Sequence, residues 1–169
     1  MTTGAYTPAT DTVICLGGAL SHVETADDRL TALQGLARVT RQGGTVAVSV
    51  MGRLAVLAAS PVEWPDAIGA TDLFEEVWRT GNDRAWCGTS YAHFFLPEEL
   101  DQIFDSAPLR VVERVGLEGL GSASFDAINR LARRNPAAWA NWLRAHDELC
   151  THPAVYATSG HMLVVAQKT

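Results

Sequence analysis

Lysine is almost absent from the 169-residue chain: Lys168 is the only one, and every other basic residue is arginine. That habit is one of coding composition and carries no chemistry of its own. Basic charge is also short overall. Thirteen Lys and Arg stand against nineteen Asp and Glu, for a net charge of −6. A chain that tracked phosphates would need a basic stripe, so nucleic acid is not an expected partner. No apolar run approaches the roughly 20 residues of a membrane span, so no membrane partner is expected. Met1 to Thr10 lack a basic region followed by an apolar core, which argues against a signal peptide and for a cytoplasmic location. Cysteine is scarce and odd in number. Cys15, Cys87 and Cys150 lie far apart without CxxC spacing, which excludes a disulfide framework and leaves three reduced thiols. The five histidines include no HExxH pair. His146, Asp147 and Cys150 share a helical stretch, but such a trio is common by chance, so no metal is expected.

What is present is ordinary globular material, 47% hydrophobic and 19% charged. The length suits one domain, read here as residues 11–169 behind a loose, small-residue tail at 1–10. Thr12 to Leu16 is a short β-branched run ended by Gly17-Gly18, the pattern of a strand buried on both faces. Thr25-Ala-Asp-Asp28 has the form of a capping box. Ala26, Leu30, Leu33 and Ala37 then recur on one helical face, and the helix is expected to end at Arg41 before Gly43-Gly44. Thr45 to Val50 is a second buried strand. A connection of this length implies a right-handed crossover between parallel strands.

Beyond Met51 the pattern is irregular up to about residue 92, apart from a short amphipathic helix at Asp72–Arg79. Helices are expected at Leu96–Phe104, with proline in the first turn, at Ser124–Arg134, and at Pro136–Cys150 with Asn135 as its cap. Leu109–Val115 and His161–Ala166 read as strands. The first strand has no earlier strand to pair with, and an apolar strand is a poor bare sheet edge.

The run Asp11-Thr-Val-Ile-Cys-Leu-Gly-Gly-Ala-Leu-Ser-His22, the turn Arg38-Val-Thr-Arg-Gln-Gly-Gly44 and the segment Tyr91-Ala-His-Phe-Phe-Leu-Pro-Glu-Glu-Leu100 together resemble the C-terminal half of the class I S-adenosylmethionine-dependent methyltransferases. Gln42 stands where that family usually has proline. The family's glycine-rich loop after its first strand, and the acid that ends its second, have no counterpart here. The resemblance therefore implies a partial Rossmann-like α/β fold. Parallel strands with a crossover helix would be joined by a C-terminal antiparallel strand, with extra helices between the last two strands.

The resemblance further implies that Leu16, Gly17, Gly18 and Ala19 line the methionine side of S-adenosylmethionine. Open α/β sheets bind ligands at the C-terminal ends of their strands. A plain strand-to-helix turn also favours glycine. His22 could act at the reaction centre as a base, or could cap or pack. Arg53 could bind an acidic group of a small-molecule substrate, or be solvated. Tyr91 and His93 could border that substrate, or pack a loop. The tryptophans at 64, 78 and 86 could form an aromatic lid or a minor core, and Trp139 and Trp142 read as core.

Two functions follow from different classes. One is methyl transfer to a small molecule, with this chain supplying half of the site and a complementary N-terminal half, or a second copy, supplying the rest. The other is a non-catalytic, methyltransferase-like module that dimerises or binds a protein partner. An unrelated small α/β ligand-binding domain is a third, weaker reading. Methyl transfer from a sulfonium is an in-line displacement that needs positioning and water exclusion. It calls for a base only where the nucleophile arrives protonated.

Overall fold

A computed structural model describes residues 10–87 and 90–169. Residues 1–9 of the expected tail lie outside the described residues, and Thr10 opens the first strand. Strand β1 (Thr10–Cys15) runs through a 3-10 turn at Ala19–His22 into helix α1 (Ala26–Val39), which returns as strand β2 (Thr40–Met51). The cap expected at Thr25 is present: its Oγ1 accepts a hydrogen bond from the amide of Asp28 at 3.1 Å. The helix stops two residues before Arg41. Thr40 has already turned extended and pairs with Thr10, and the register then slips before Thr12 meets Thr45.

Strand β1 pairs with β2 in parallel, as the crossover length requires. Helices α2 (Arg53–Glu63) and α3 (Thr71–Thr80) follow. A two-residue hairpin comes next, of β3 (Asn82–Asp83) and β4 (Ala92–His93), then helix α4 (Pro97–Asp105) and strand β5 (Leu109–Gly116). Helices α5 (Phe125–Arg134), α6 (Pro136–Leu149) and α7 (Pro153–Ala157) precede strand β6 (His161–Lys168). The last strand inserts antiparallel between β2 and β5, giving the order β1-β2-β6-β5. The α/β class, the parallel pair with its crossover helix, the terminal antiparallel strand and the helices before it are all as expected.

Period-two patterning builds the core. Val46, Val48 and Val50 of β2 and Met162, Val164 and Ala166 of β6 point to one face and are buried. Leu33 and Ala37 of α1 and Leu100 and Phe104 of α4 close over them. Of the intervening residues, Thr45 and Ala47 of β2 and Leu163 and Val165 of β6 are half-buried, whereas Ser49 is buried. The expectation that β1 is buried on both faces is corrected here. Ile14 is 66% exposed: among the described residues β1 is an edge strand, and the packed layer lies on one face.

Two further expectations change. Residues 53–63 form a helix despite Pro61, which sits in its last turns. Trp139 and Trp142 are half-buried and line a groove between α5 and α6, neither of which carries a fully buried residue. Of the lid and minor-core readings for the other tryptophans, Trp86 takes the second. It packs on Trp64 at 5.7 Å and Phe74 at 5.3 Å between centroids, while Trp78 is exposed. All three cysteines are free and half-buried. Among the described residues no helix is long and apolar enough to cross a membrane.

Candidate functional site

The C-terminal ends of β1 and β2 meet at the Leu16–Ala19 turn. Gly17 and Gly18 both take left-handed backbone angles, φ 76° and 75°, which any L side chain would strain. The amide of Gly17 donates to Ser49 Oγ at 3.0 Å, and the amide of Met51 donates to Ser21 Oγ at 3.0 Å, so the turn is tied to β2 on both sides. A Cβ on Gly17 would meet open space. One on Gly18 would lie 3.2 Å from Met51 Cγ and 3.8 Å from His161 Nε2. Leu16 is half-exposed beside them.

Met51 and His161 belong to the wall of a cavity of about 280 Å³. Ala55, Val56, Ala59 and Trp64 supply its apolar side from α2 and the turn after it, and Phe125 stands at its mouth, 52% exposed. The polar groups are few. His161 opens β6, and its Nδ1 lies 2.7 Å from Glu118 Oε1. The other oxygen of Glu118 accepts from the amide of His161 at 2.5 Å. A carboxylate accepts only, so Nδ1 carries the proton, and the lone pair of the neutral ring lies on Nε2. The Glu118 hydrogen bond raises the pKa of His161, outweighing burial. Burial alone would raise Glu118, but the side-chain and backbone hydrogen bonds from His161 prevail and hold it below its usual value.

The other expected site residues lie in a second cluster. His22 is exposed, and its Nδ1 donates to the carbonyl of Tyr91 at 2.9 Å. The Tyr91 hydroxyl lies 2.7 Å from Asn82 Oδ1 and 2.9 Å from the carbonyl of Glu24. Asn82 Oδ1 also accepts from Nδ1 of His93 at 2.8 Å. His93 is buried, edge-on to Phe95, and its pKa falls to about 3 through burial and the nearby cations of Arg29 and Arg53. It is neutral at physiological pH, so its 3.8 Å approach to Glu99 is no ion pair. His93 reaches a separate cleft between α1 and α4, lined also by Arg29, Phe95 and Glu99.

Arg53 corrects its expectation. It is buried rather than solvated, being 3% exposed. Its guanidinium donates to the carbonyls of Phe94, Arg79 and Thr80 and to both oxygens of Glu99, at 2.7 and 2.8 Å. It clamps α2 to the end of α3, to the residue after β4 and to α4. Gly81 makes room for it: a Cβ there would lie 2.4 Å from Arg53 Nη2 and 2.2 Å from the carbonyl oxygen of Phe94.

His161 and Glu118 escaped the sequence reading. The only signals were a histidine opening an apolar strand after Gly160 and one acid within the glycine-rich 116–121 run.

No protein-family model matches the chain, and no curated protein does. Solved structures do. An S-adenosylmethionine dependent methyltransferase from Mesorhizobium loti superimposes with a TM-score of 0.54 at 12% identity, over 96% of this chain and 63% of its own. A Listeria monocytogenes protein assigned to the same class gives 0.54 at 11%, over 97% of this chain and 64% of its own. The chain has a class I methyltransferase-like fold. At such low identity the likeness speaks for the fold alone, and the chain spans less than two thirds of either neighbour.

The glycine turn leaves backbone open for close approach, and it abuts an apolar cavity with a proton-accepting group on its wall. Among the described residues β1 pairs with β2 alone. The same residues include no cluster of three metal-ligating side chains.

Proposed function

We propose that this chain supplies the C-terminal half of an S-adenosylmethionine-dependent methyltransferase site acting on a small molecule. One observation carries the reading. The left-handed Gly17-Gly18 turn lies at the C-terminal end of a parallel strand, with Gly18 against Met51 and His161, two of the residues that wall a largely apolar cavity. In this reading Leu16, Gly17, Gly18 and Ala19 hold the methionine end of the cofactor. The bound cofactor supplies an electrophilic methyl group. The chain's own residues hold the acceptor in line and exclude water, a contribution worth up to about 7–11 kcal/mol in the best cases. His22, fixed by the Tyr91 carbonyl, orients the rim of the turn, and Tyr91 holds the loop beside it.

Among the described residues β1 pairs with β2 alone, and Ile14 and Leu16 are exposed, which supports a partner that adds strands there. A complementary N-terminal half of the fold is the partner we propose, and it would bring the ribose-binding side. Calorimetric titration with S-adenosylhomocysteine tests this. The chain alone is expected not to bind at micromolar strength, about −8 kcal/mol. The protein extended upstream by a strand, glycine loop and strand is expected to bind. Micromolar binding by the chain alone overturns the half-site reading and favours a second copy as partner. No binding by the extended protein overturns the methyltransferase reading and leaves the non-catalytic module.

A further inference from the structure

We infer that the His161–Glu118 pair is the proton acceptor for a compact aromatic acceptor bearing an acidic hydroxyl, seated in the cavity between α2, β6 and the segment before α5. This rests on the methyltransferase reading but is tested without it. Three observations converge. A Cβ on Gly18 would lie 3.8 Å from Nε2 of His161, so the ring stands beside the turn assigned to the cofactor, and it also lines the cavity. Nδ1 is tied to Glu118, which fixes the tautomer and leaves the lone pair on Nε2. Beside His161 the cavity is mostly apolar, with Glu63 and Ser122 as its other polar side chains and Trp64, Phe125 and Met51 among its walls, and about 280 Å³ suits one or two rings.

The chemistry balances. The acceptor's O–H proton passes to Nε2, and an oxygen lone pair forms the new O–C bond. The S–C bond of the sulfonium donor breaks with its electron pair left on sulfur, and solvent then takes the proton from the imidazolium. Glu118 makes the ring a stronger base than a free histidine, and it stabilises the imidazolium as the proton arrives. The charged and titratable groups around the ring are Glu118 itself, Glu63 from α2 on the same cavity, and His146 from α6, which lies behind Glu118 against Gly119.

The probe is 4-nitrophenol, whose phenolate is coloured and whose phenol is not. It needs no cofactor. The full chain is titrated with it at a pH below the probe's own pKa, following visible absorbance and, separately, heat of binding. Wild type is expected to bind it and to develop the phenolate band. His161→Gln is expected to bind with the phenolate fraction lowered by about tenfold or more, the equivalent of one pKa unit. Glu118→Gln should lower it less. Ala59→Phe, which fills the cavity without touching the pair, is expected to abolish binding. Wild-type binding without the band overturns the proton-acceptor role, as does an undiminished band in His161→Gln. Absence of binding by wild type, or full binding by Ala59→Phe, overturns the cavity assignment. Because S-adenosylhomocysteine is absent throughout, none of these failures is confused with failure of the cofactor site.

Discussion

Replacing Arg53 by methionine separates a clamp from a substrate arm. Methionine keeps most of the buried stem and removes the guanidinium. Glu99 and the carbonyls of Phe94, Arg79 and Thr80 then lose this donor, and only Oε2 of Glu99 keeps another, the Leu96 amide at 2.7 Å. Removing one partner of a buried pair costs about 3–5 kcal/mol. The Glu99 side chain is 34% exposed, so water reaches it and the lower end, about 3 kcal/mol, applies here. For a chain of this size each kcal/mol moves the midpoint by about 2–4 °C, so Tm should fall by about 6–12 °C. Urea denaturation gives the free energy, and a calorimetric scan gives the midpoint. Glu99→Gln keeps an acceptor oxygen and should cost about 1 kcal/mol, the scale of one net hydrogen bond. An arginine serving only a ligand would change stability by about 0.5 kcal/mol or less on mutation. A measured cost below about 1 kcal/mol for Arg53→Met would therefore refute the clamp and restore the substrate role.

The glycine turn and the histidine pair make two further claims. Gly17→Ala should cost about 1–2 kcal/mol from its left-handed backbone alone, and Gly18→Ala more, since its Cβ also meets Met51 Cγ at 3.2 Å; equal costs in urea denaturation would contradict the packing described for Gly18. The raised pKa of His161 gives stability that is full below its ordinary 6.5 and is lost as pH rises through the raised value. The lowered pKa of Glu118 gives stability that is full above its ordinary 4.5 and is lost as pH falls through the lowered value. The stability advantage of wild type over Glu118→Gln, measured by urea midpoints across pH, should therefore be greatest between about 4.5 and 6.5 and shrink on both sides.

Local signals were enough to place most elements, because each announces itself within a few residues. Thr25 caps α1, Asn135 caps α6, and Pro97 opens α4, as read from side-chain chemistry alone. The strands of the sheet were legible from β-branched runs, and the parallel pairing of the first two from the length of their connection. What stayed hidden is non-local. Helix α2 lacks a side-chain cap and contains Pro61, and it is held by contacts at sequence separations that no local pattern encodes, above all Arg53 to Glu99. Arg53 looked available for a ligand because an arginine just past a strand is usually exposed. Only the meeting of residues 79–80, 94 and 99 around one guanidinium explains its burial.

The same limit governs the site. The turn at 16–19 was legible because glycines after a strand are a local sign of close backbone approach. The pair that faces it joins residue 118 to residue 161, on segments that become neighbours only when β6 inserts between β2 and β5. Neither residue lies in a motif, and each alone is unremarkable in its segment. Their function as a unit depends on that insertion. It brings the start of the last strand beside the end of β2, since Met51 pairs with His161 in the register. A one-residue slip of β6 would turn His161 to the other face and part it from both Glu118 and the cavity. The site is thus a property of strand order and register, which explains why a chain with no family motif around its histidine can still present a positioned base.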